Sequence, residues 1–294
     1  MKTKNIPLFL VLICTCAGLA QPSPKAALDS LIARVENYQA YDREAYPLGL
    51  HTEQRYRAEA EFAREALEDL AKIPSDSLQE TDRISHELLA FILRDRVDRY
   101  TFGMHLNPIQ ADQGFHLSLN YRIGPLGNYR AVRRYLNVLN AIPDYARQNF
   151  ERMREGLARG RSQPIAIFDG YEDTYNTHIV SDFRESAFYS PFRDLPSDLS
   201  PEQRDSVLLA AREAVETSVI PAFRAIKTFF EEEYYPATRR ELGVSATPGG
   251  AAFYQNRINY YTTSDRYDAR AIHKIGLAEV SRIREQMEAI IDTI

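Results

Sequence analysis

The stretch Pro248–Ile294 reads PGGAAFYQNRINYYTTSDRYDARAIHKIGLAEVSRIREQMEAIIDTI and decides the fold class. Its first three residues predict a turn, and a tyrosine-rich segment follows the turn. Ser264-Asp265 then offers N-cap chemistry for a long helix. Because apolar residues in that helix step by three and four, they share one face. The stretch therefore predicts an amphipathic helix and an α-helical protein. The apolar residues of this face are Val280, Ile283, Met287, Ile290 and Ile294.

The predicted helix has no stop signal. No Gly, Asn or Pro follows the apolar pattern, and the sequence ends on Ile294 in the middle of that pattern. A natural helix end usually carries a C-cap residue or a basic last turn. We therefore expect that the sequence is truncated, and that the apolar face of residues 268–294 is available for self-association.

The first twenty residues have the pattern of a secretory signal peptide. Lys2 and Lys4 form a basic start, Leu8–Cys14 is apolar, and residues 18–20 suit a small-residue cleavage site. The apolar run is far shorter than the ~20 residues that a membrane span needs. We therefore expect an exported protein, periplasmic or extracellular, with no transmembrane segment. A lipid anchor at Cys16 is the less favoured alternative.

Cysteine and charge content limit the partners. Cys14 and Cys16 are the only cysteines, and both lie in the predicted signal peptide. The exported chain would then have no disulfide and no thiolate metal site, so its stability must come from a hydrophobic core. Removal of Lys2 and Lys4 leaves 34 basic against 41 acidic residues, a net charge of −7. This charge argues against nucleic acid or an anionic membrane surface as a partner.

Apolar residues recur at helical spacing through the first hundred residues. The pattern is present in 25–48 up to Pro47, in 52–72, and again after 77–81. No segment in this part of the chain alternates apolar and polar residues as a strand would. We therefore predict three amphipathic helices before residue 100.

The middle of the chain predicts further helices that contain prolines. The helix around Pro143 is expected to be interrupted there, and the helix that begins at Pro201 is expected to kink or break at Pro221. Ser200 and Gln203 have the spacing of a capping box. The predicted fold class is mostly α, a multi-helix array with long irregular loops.

One long segment, Phe102–Gly127, lacks helical periodicity. It reads FGMHLNPIQADQGFHLSLNYRIGPLG and contains four glycines and two prolines. A long irregular segment in a compact helical protein is often functional. His105 and His116 would converge if the segment folds back, although loop histidines that hydrogen-bond the backbone are the more common case.

The C-terminal stretch resembles the DUF885 family, a bacterial family related to zinc metallopeptidases. Residues 248–263 are similar to its PGG…YY…YTT pattern. Residues 271–287 are similar to its helix motif E-I-H-x-I-G-L-x-E-V-x-R-I-x-x-E-M. Ala271 replaces the usual Glu of that motif, and Gln286 stands where an acid is common.

Two earlier segments carry the same resemblance. Residues 107–116 resemble the family's NQ…GGFH segment in part, and residues 186–196, SAFYSPFRDLP, resemble its SPF…P segment. The resemblance thus extends over most of the chain. We divide the chain into a signal peptide, 1–20, and one helical DUF885-like region, 21–294.

The resemblance implies that this chain is the N-terminal half of a longer helical metallopeptidase-like fold. Family members are about twice as long, and their HExxPGH-type zinc motif lies downstream of the C-terminal helix. The chain would supply walls of a substrate cleft, and a peptide would be the substrate once a C-terminal half completes that cleft. Zinc is expected only in a full-length relative. We expect no cofactor and no catalytic residue in this chain, and therefore no activity of the chain alone.

Two clusters and one helical residue are candidates for substrate binding. The first cluster lies in the irregular segment. The second is a run of hydroxyl groups in a predicted loop, which could hydrogen-bond a peptide backbone or stabilise an oxyanion, or could equally be a packed loop. The helical residue is His273, which faces either the cleft or solvent. The candidates are Gln113, His116, Tyr260, Tyr261, Thr262 and His273.

The residues predict no catalytic or metal-binding set. His86-Glu87 begins an HExxH-like sequence, but Ala90 stands where the second zinc ligand would be. The sequence also has no G-x-S-x-G motif and no cysteine nucleophile after the signal peptide. The alternative function is therefore a non-catalytic exported helical module that binds a peptide or protein through its tyrosine-rich surface.

Overall fold

The computed structural model describes residues 22–110 and 112–293. The predicted signal peptide and the alternative lipid anchor at Cys16 lie outside these residues. The described part of the chain contains ten α-helices and no β-strand, which confirms the mostly α fold class. The helices are α1 Pro24–Glu36, α2 Glu53–Ala71, α3 Glu80–Thr101, α4 Tyr129–Ala158, α5 Asp173–Asn176, α6 Pro201–Ala214, α7 Ile220–Thr228, α8 Tyr235–Ala237, α9 Gly250–Thr262 and α10 Ala269–Ile291.

The first three helices form an N-terminal cluster, as the apolar spacing predicts. Leu31 of α1, Ala66 of α2 and Leu93 of α3 are buried together. Small alanines on α2 allow α2 and α3 to approach closely along their length. Each fully buried leucine contributes about 1.5–3 kcal/mol relative to an exposed one, so this cluster alone stabilises the three helices substantially.

A larger central cluster forms around α4 and α6–α8. Aromatic side chains dominate it, and Phe223, Phe229 and Phe230 are almost completely buried. The segment 164–199 consists of short 3₁₀ turns and α5, and it lies against these helices with Tyr175 and Phe188 buried. In residues 164–183 the regular structure is limited to the single helical turn of α5 and short 3₁₀ turns.

Helix α4 continues through Pro143, so the predicted interruption is wrong. The proline lacks the N–H that would bond to the carbonyl of Leu139. Ile142 and Ala146 on either side of it are buried in the central cluster. Burial of a continuous apolar face over 30 residues outweighs the loss of one backbone hydrogen bond.

The helix that begins at Pro201 does not break at Pro221. Instead Val215–Val219 forms a π-helical segment, and a second π-helical segment, Phe229–Tyr234, precedes Pro236. A π turn widens the helix, which relieves the clash between a proline ring and the carbonyl four residues earlier. The predicted capping box at the start of this helix is confirmed, because Ser200 and Gln203 bond each other's backbone.

Helix α9 connects the C-terminal stretch to the N-terminal cluster. Arg257 Nη1 of α9 lies 2.8 Å from Asp95 Oδ1 of α3, and both side chains are buried. Asn256 Nδ2 donates to Asp98 Oδ2 at 2.8 Å, and the Tyr260 ring stacks on Phe91. Polar and aromatic contacts therefore fix α9 on α3.

Helix α10 confirms the amphipathic pattern but begins later than predicted. Its N-cap is Asp268, whose carboxylate accepts a hydrogen bond from Ala271 N at 2.7 Å, rather than Ser264-Asp265. No residue of this helix is buried. Its apolar face is in contact with solvent, and Val280, Ile283 and Met287 are each about half exposed.

None of the helices in the described ranges combines the length and the apolar character that a membrane span requires.

Candidate functional site

A cavity of about 750 Å³ lies between the N-terminal and central clusters. It is bounded by α2, α3, the middle of α4 and the irregular segment 104–121. The long segment that the sequence singles out therefore forms a large part of its wall. A cavity of this volume has the size of a small-molecule or short-peptide site. Its polar lining residues include His51, Arg55, Glu59, Arg96, Arg99, His105, Asn107, Gln110, Asp112, Gln113, Ser118 and Asn149, and its tyrosines are Tyr56, Tyr100, Tyr121 and Tyr145.

His51 lines the cavity and is held in one tautomer. Its Nε2 lies 3.1 Å from the Leu48 carbonyl, which only accepts, so Nε2 carries the proton. Nδ1 then accepts from the Tyr56 hydroxyl at 2.9 Å. Burial lowers the pKa of His51 and raises the pKa of Tyr56 to about 12, so both groups are neutral at pH 7.

His105 is clamped between two tyrosines. Its ring stacks on Tyr56 at 4.7 Å and on Tyr100 at 5.2 Å, between centroids. Its Nε2 donates to Glu53 Oε2 at 3.0 Å, and Tyr100 Oη donates to Glu53 Oε1 at 2.7 Å. Burial lowers the pKa of His105 despite the neighbouring carboxylate, which leaves the imidazole neutral. The stacked rings form a rigid, uncharged wall.

Glu53 remains ionised at the edge of this wall. Burial alone would raise its pKa, but hydrogen bonds from Tyr100 and His105 outweigh burial, and the pKa is lowered. Arg152 Nη1 of α4 lies 3.4 Å from the same carboxylate. Glu53 therefore connects α2, α4 and the start of the irregular segment, and it sets the tautomer of His105.

Three arginines from two helices line the cavity. Arg55 Nη2 of α2 lies 2.7 Å from Glu59 Oε1, and its guanidinium packs 4.6 Å from the Tyr56 ring centroid. Arg99 Nε of α3 donates to Asp95 at 2.7 Å. Arg96 is exposed and has no ion pair among the described residues. Burial raises the pKa of Glu59.

A tight chain reversal forms the outer rim of the cavity. Ile109 pairs with Gly114 in an isolated antiparallel bridge, and Phe115 N donates to the Pro108 carbonyl at 3.1 Å. Gln113, predicted as a binding residue, lines the cavity here. Tyr121 also lines the cavity and is 91% exposed, so a large aromatic ring stands free at its mouth.

His116, also predicted as a binding residue, lies beneath the cavity wall and is completely buried. Its Nε2 lies 2.9 Å from Thr174 Oγ1. A Cβ on Gly114 would approach the His116 ring to 3.1 Å and the Tyr171 hydroxyl to 2.7 Å, so the wall is thin and requires glycine. Burial lowers the pKa of His116 to about 3.

The predicted hydroxyl-rich loop is part of helix α9. Tyr260 packs on Phe91, and Tyr261 is 79% exposed. Thr262 Oγ1 lies 2.8 Å from the Ile258 carbonyl oxygen and 3.0 Å from that of Ser264, at the C-terminal end of the helix, and can donate its hydrogen to either. The loop assignment is therefore wrong, because contacts with α3 favour a helix. None of the three residues lines the cavity.

The remaining histidines lie away from the cavity. His273 is exposed on α10. His86 Nε2 lies 3.2 Å from the Leu70 carbonyl, which places the HExxH-like sequence in a helix–helix contact. The described residues contain no group of three or more His, Cys, Asp or Glu side chains placed to hold a metal ion. They therefore do not fit a zinc site, and no metal-dependent step follows from them.

Sequence reasoning missed most of the cavity wall. Glu53 and Arg55 open a predicted helix, and Arg96 and Arg99 lie in another, where charged residues usually face solvent. The only signal for them is the i, i+3 spacing of the two arginines, which places both on one side of α3. Tyr121 had a weak signal, since it is a tyrosine inside the irregular segment.

The fold is similar to that of a solved structure at low sequence identity. It is the crystal structure described as "the putative lipoprotein from Colwellia psychrerythraea", with 19% identity and a TM-score of 0.72. The similarity covers 90% of this chain and 51% of that protein, so the chain spans about half the length of this relative. No curated protein matches the chain.

A family model matches residues 38–294, which is most of the chain and includes the whole cavity wall. The description of that family is "Bacterial protein of unknown function (DUF885)". The match includes the irregular segment and both C-terminal helices, on which the resemblance in the sequence rests. The chain belongs to the DUF885 family.

Proposed function

We propose that the chain binds peptides in the cavity between its two hydrophobic clusters, and that it forms one wall of a substrate cleft in a longer, peptidase-like DUF885 protein. The observation that supports this function is the cavity lining itself. It combines tyrosine rings, side-chain amides and fixed guanidinium groups in a volume of about 750 Å³. Such a mixture of apolar faces with a few convergent polar groups is typical of ligand sites.

The lining suits a peptide in particular. Peptide groups need both donors and acceptors, which the side-chain amides of Asn107, Gln113 and Asn149 supply. Side chains of the ligand need apolar planes, which Tyr100 and Tyr121 offer. Because His51 and His105 are neutral, neither imidazole places a charge against an uncharged peptide segment.

Binding at this cavity is testable by calorimetric titration with short N-acetylated peptides. Tyr121→Ala should weaken binding about two- to twelvefold, because an aromatic contact of about 0.5–1.5 kcal/mol is lost. Tyr129→Ala, which removes a tyrosine that is not part of the cavity lining, should leave the affinity unchanged. Absence of peptide binding to the wild-type chain, or equal losses in both variants, would contradict the proposed site.

Hydrolysis of a bound peptide would require catalytic groups from outside the described residues. The family resemblance implies a zinc motif in the part of a longer protein that this chain does not match. Sequencing the locus past codon 294 tests this part of the proposal. An HExxPGH-type motif downstream, in frame or one shift away, is the expected result. Several hundred codons without such a motif would refute the peptidase-like role and leave a binding protein.

A second candidate function is a helical module that assembles through α10. The helix has 23 residues and no buried side chain, and isolated helices are marginal in water. Its apolar residues repeat at steps of three and four, a pattern with which two copies of one helix can pack together. Ultracentrifugation should then show a dimer that Ile283→Glu dissociates. A monomer at all concentrations would exclude this function.

Export is part of the proposed function. It is supported by the signal-like sequence at the N-terminus and by the description of the Colwellia psychrerythraea relative as a lipoprotein. Cell fractionation of the full-length chain tests it, with processing at residue 20 expected. Retention of unprocessed chain in the cytoplasm would contradict export.

A further inference from the structure

The cavity lining contains one arginine without an ion pair. Of the three arginines that line it, Arg55 is paired with Glu59 and Arg99 with Asp95, whereas Arg96 has no ion pair among the described residues. The two histidines of the lining are neutral at pH 7. An unpaired guanidinium group attracts an anionic group of a ligand, and low-dielectric walls strengthen this attraction.

We propose that this cavity binds the carboxylate group of its ligand, the C-terminal carboxylate of a peptide, through Arg96 with support from Arg99 and Arg55. The inference rests on the proposed function, because it names the end of the peptide that enters the cavity. Guanidinium groups recognise carboxylates with two parallel N–H···O bonds, a geometry that an ammonium group cannot provide.

Arg96 is the residue available for a new ion pair. Its side chain is exposed at the cavity, and no acid lies within ion-pair distance of it in the described ranges. Arg99 follows three residues later on the same side of α3, so the two guanidinium groups are neighbours. The hydrogen bond from Arg99 Nε to Asp95 holds that side chain in place at 2.7 Å.

Arg55 adds a fixed charge from the neighbouring helix α2. Its guanidinium lies 4.6 Å from the Tyr56 ring centroid and 5.6 Å from the Tyr41 ring centroid. Glu59 bonds one edge of the group at 2.7 Å. These contacts immobilise the arginine before a ligand arrives, so little side-chain entropy is lost on binding.

The test compares two peptides that differ only at the C-terminus. Acetyl-Ala-Tyr-Ala carries one charge, its carboxylate, and its amide carries none. We expect calorimetry to give at least about tenfold tighter binding for the acid, as for a hydrogen bond to a charged group. Arg96→Gln should remove most of this preference, and Arg94→Gln, an exposed arginine of α3 outside the cavity, should retain it.

The possible outcomes separate this inference from the function on which it rests. Equal affinities of acid and amide for the wild-type chain would overturn carboxylate recognition while peptide binding stands. If Arg96→Gln still binds the acid more tightly than the amide, the assignment to this cavity is overturned. The same holds if Arg94→Gln loses the preference for the acid to the same extent as Arg96→Gln. If neither peptide binds, the proposed function fails, and this inference fails with it. Matching thermal melting curves for both variants exclude misfolding as the cause.

Discussion

Four buried or half-buried histidines make the fold sensitive to acid, and two of them, His51 and His105, line the cavity. Burial lowers the pKa of His51, His105 and His178, and it lowers the pKa of His116 to about 3. An unfolded chain binds protons at these side chains near pH 6.5, whereas the folded chain does not. The unfolded state therefore gains protons first as the pH falls, and stability is lost below about pH 6.5.

His116 should account for a measurable part of this acid sensitivity. At pH 5 the difference between the pKa of His116 in the folded and in the unfolded chain lowers the free energy of unfolding by about 2 kcal/mol. His116→Phe removes the titration, so its stability should depend less steeply on pH between 6.5 and 4. Denaturant unfolding across this range measures the slope. The exposed control His273→Asn should leave the wild-type slope unchanged, and an unchanged slope in His116→Phe would contradict the assignment.

The buried ion pair between α3 and α9 should matter more than surface pairs. Asp95→Asn leaves the buried Arg257 without a full counter-charge, which typically costs about 3–5 kcal/mol. Asp69→Asn removes an exposed partner of Arg34 and Lys72, and should cost much less stability than Asp95→Asn, because solvent screens exposed ion pairs. Chemical denaturation of the two variants measures the contrast. Equal losses would show that the α3–α9 contact is not buried in solution.

At the residue scale, the sequence predicts only part of the candidate site. Gln113 could be chosen because its irregular segment is unusual in a helical protein. His116 could not be placed in the core, because nothing in the local sequence shows that Thr174 and Tyr171 cover it. The contact between Glu53 and His105 joins residues 52 positions apart, so only tertiary packing creates it.

Among the secondary-structure elements, two helical glycines differ in their surroundings. A Cβ at Gly156 of α4 would lie 2.6 Å from the Leu106 carbonyl oxygen, at the start of the cavity segment. A Cβ at Gly276 of α10 would meet nothing within 4 Å. The first glycine permits close packing of α4 against the irregular segment, whereas the second only weakens its helix.

Alanine substitutions should therefore have opposite effects at these glycines. Gly276→Ala should raise helix content or stability by up to about 1 kcal/mol, the difference in helix propensity. Gly156→Ala should lower stability by about 1–3 kcal/mol, because the backbone of Leu106 has to move. Thermal unfolding and far-ultraviolet circular dichroism measure both. Stabilisation by Gly156→Ala would contradict the close approach.

Helices with strong local signals were predictable, and those that depend on tertiary contacts were not. Helix α2 and the capping box at Ser200 follow from short-range patterns and match the structure. The uninterrupted helix at Pro143 and the helical conformation of Tyr260–Thr262 depend on burial against distant residues. A proline or a cluster of hydroxyl groups favours a break locally, and packing of a long apolar face overrides it.

In the whole molecule, the two hydrophobic clusters meet around one cavity, and one amphipathic helix projects from them with its apolar face exposed. The match with about half of the Colwellia psychrerythraea structure indicates that the same fold occurs within a longer polypeptide. The cavity and α10 are separate features of the surface, so a ligand in one does not require a partner on the other. The two candidate functions can therefore be tested independently.

A crystal structure of the protein with acetyl-Ala-Tyr-Ala at saturating concentration would show whether the cavity is the peptide-binding site. We expect the peptide to lie between Tyr121 and the stacked ring of His105, with its carboxylate at Arg96. A peptide bound only along the apolar face of α10, with no peptide between α2, α3 and the irregular segment, would contradict it.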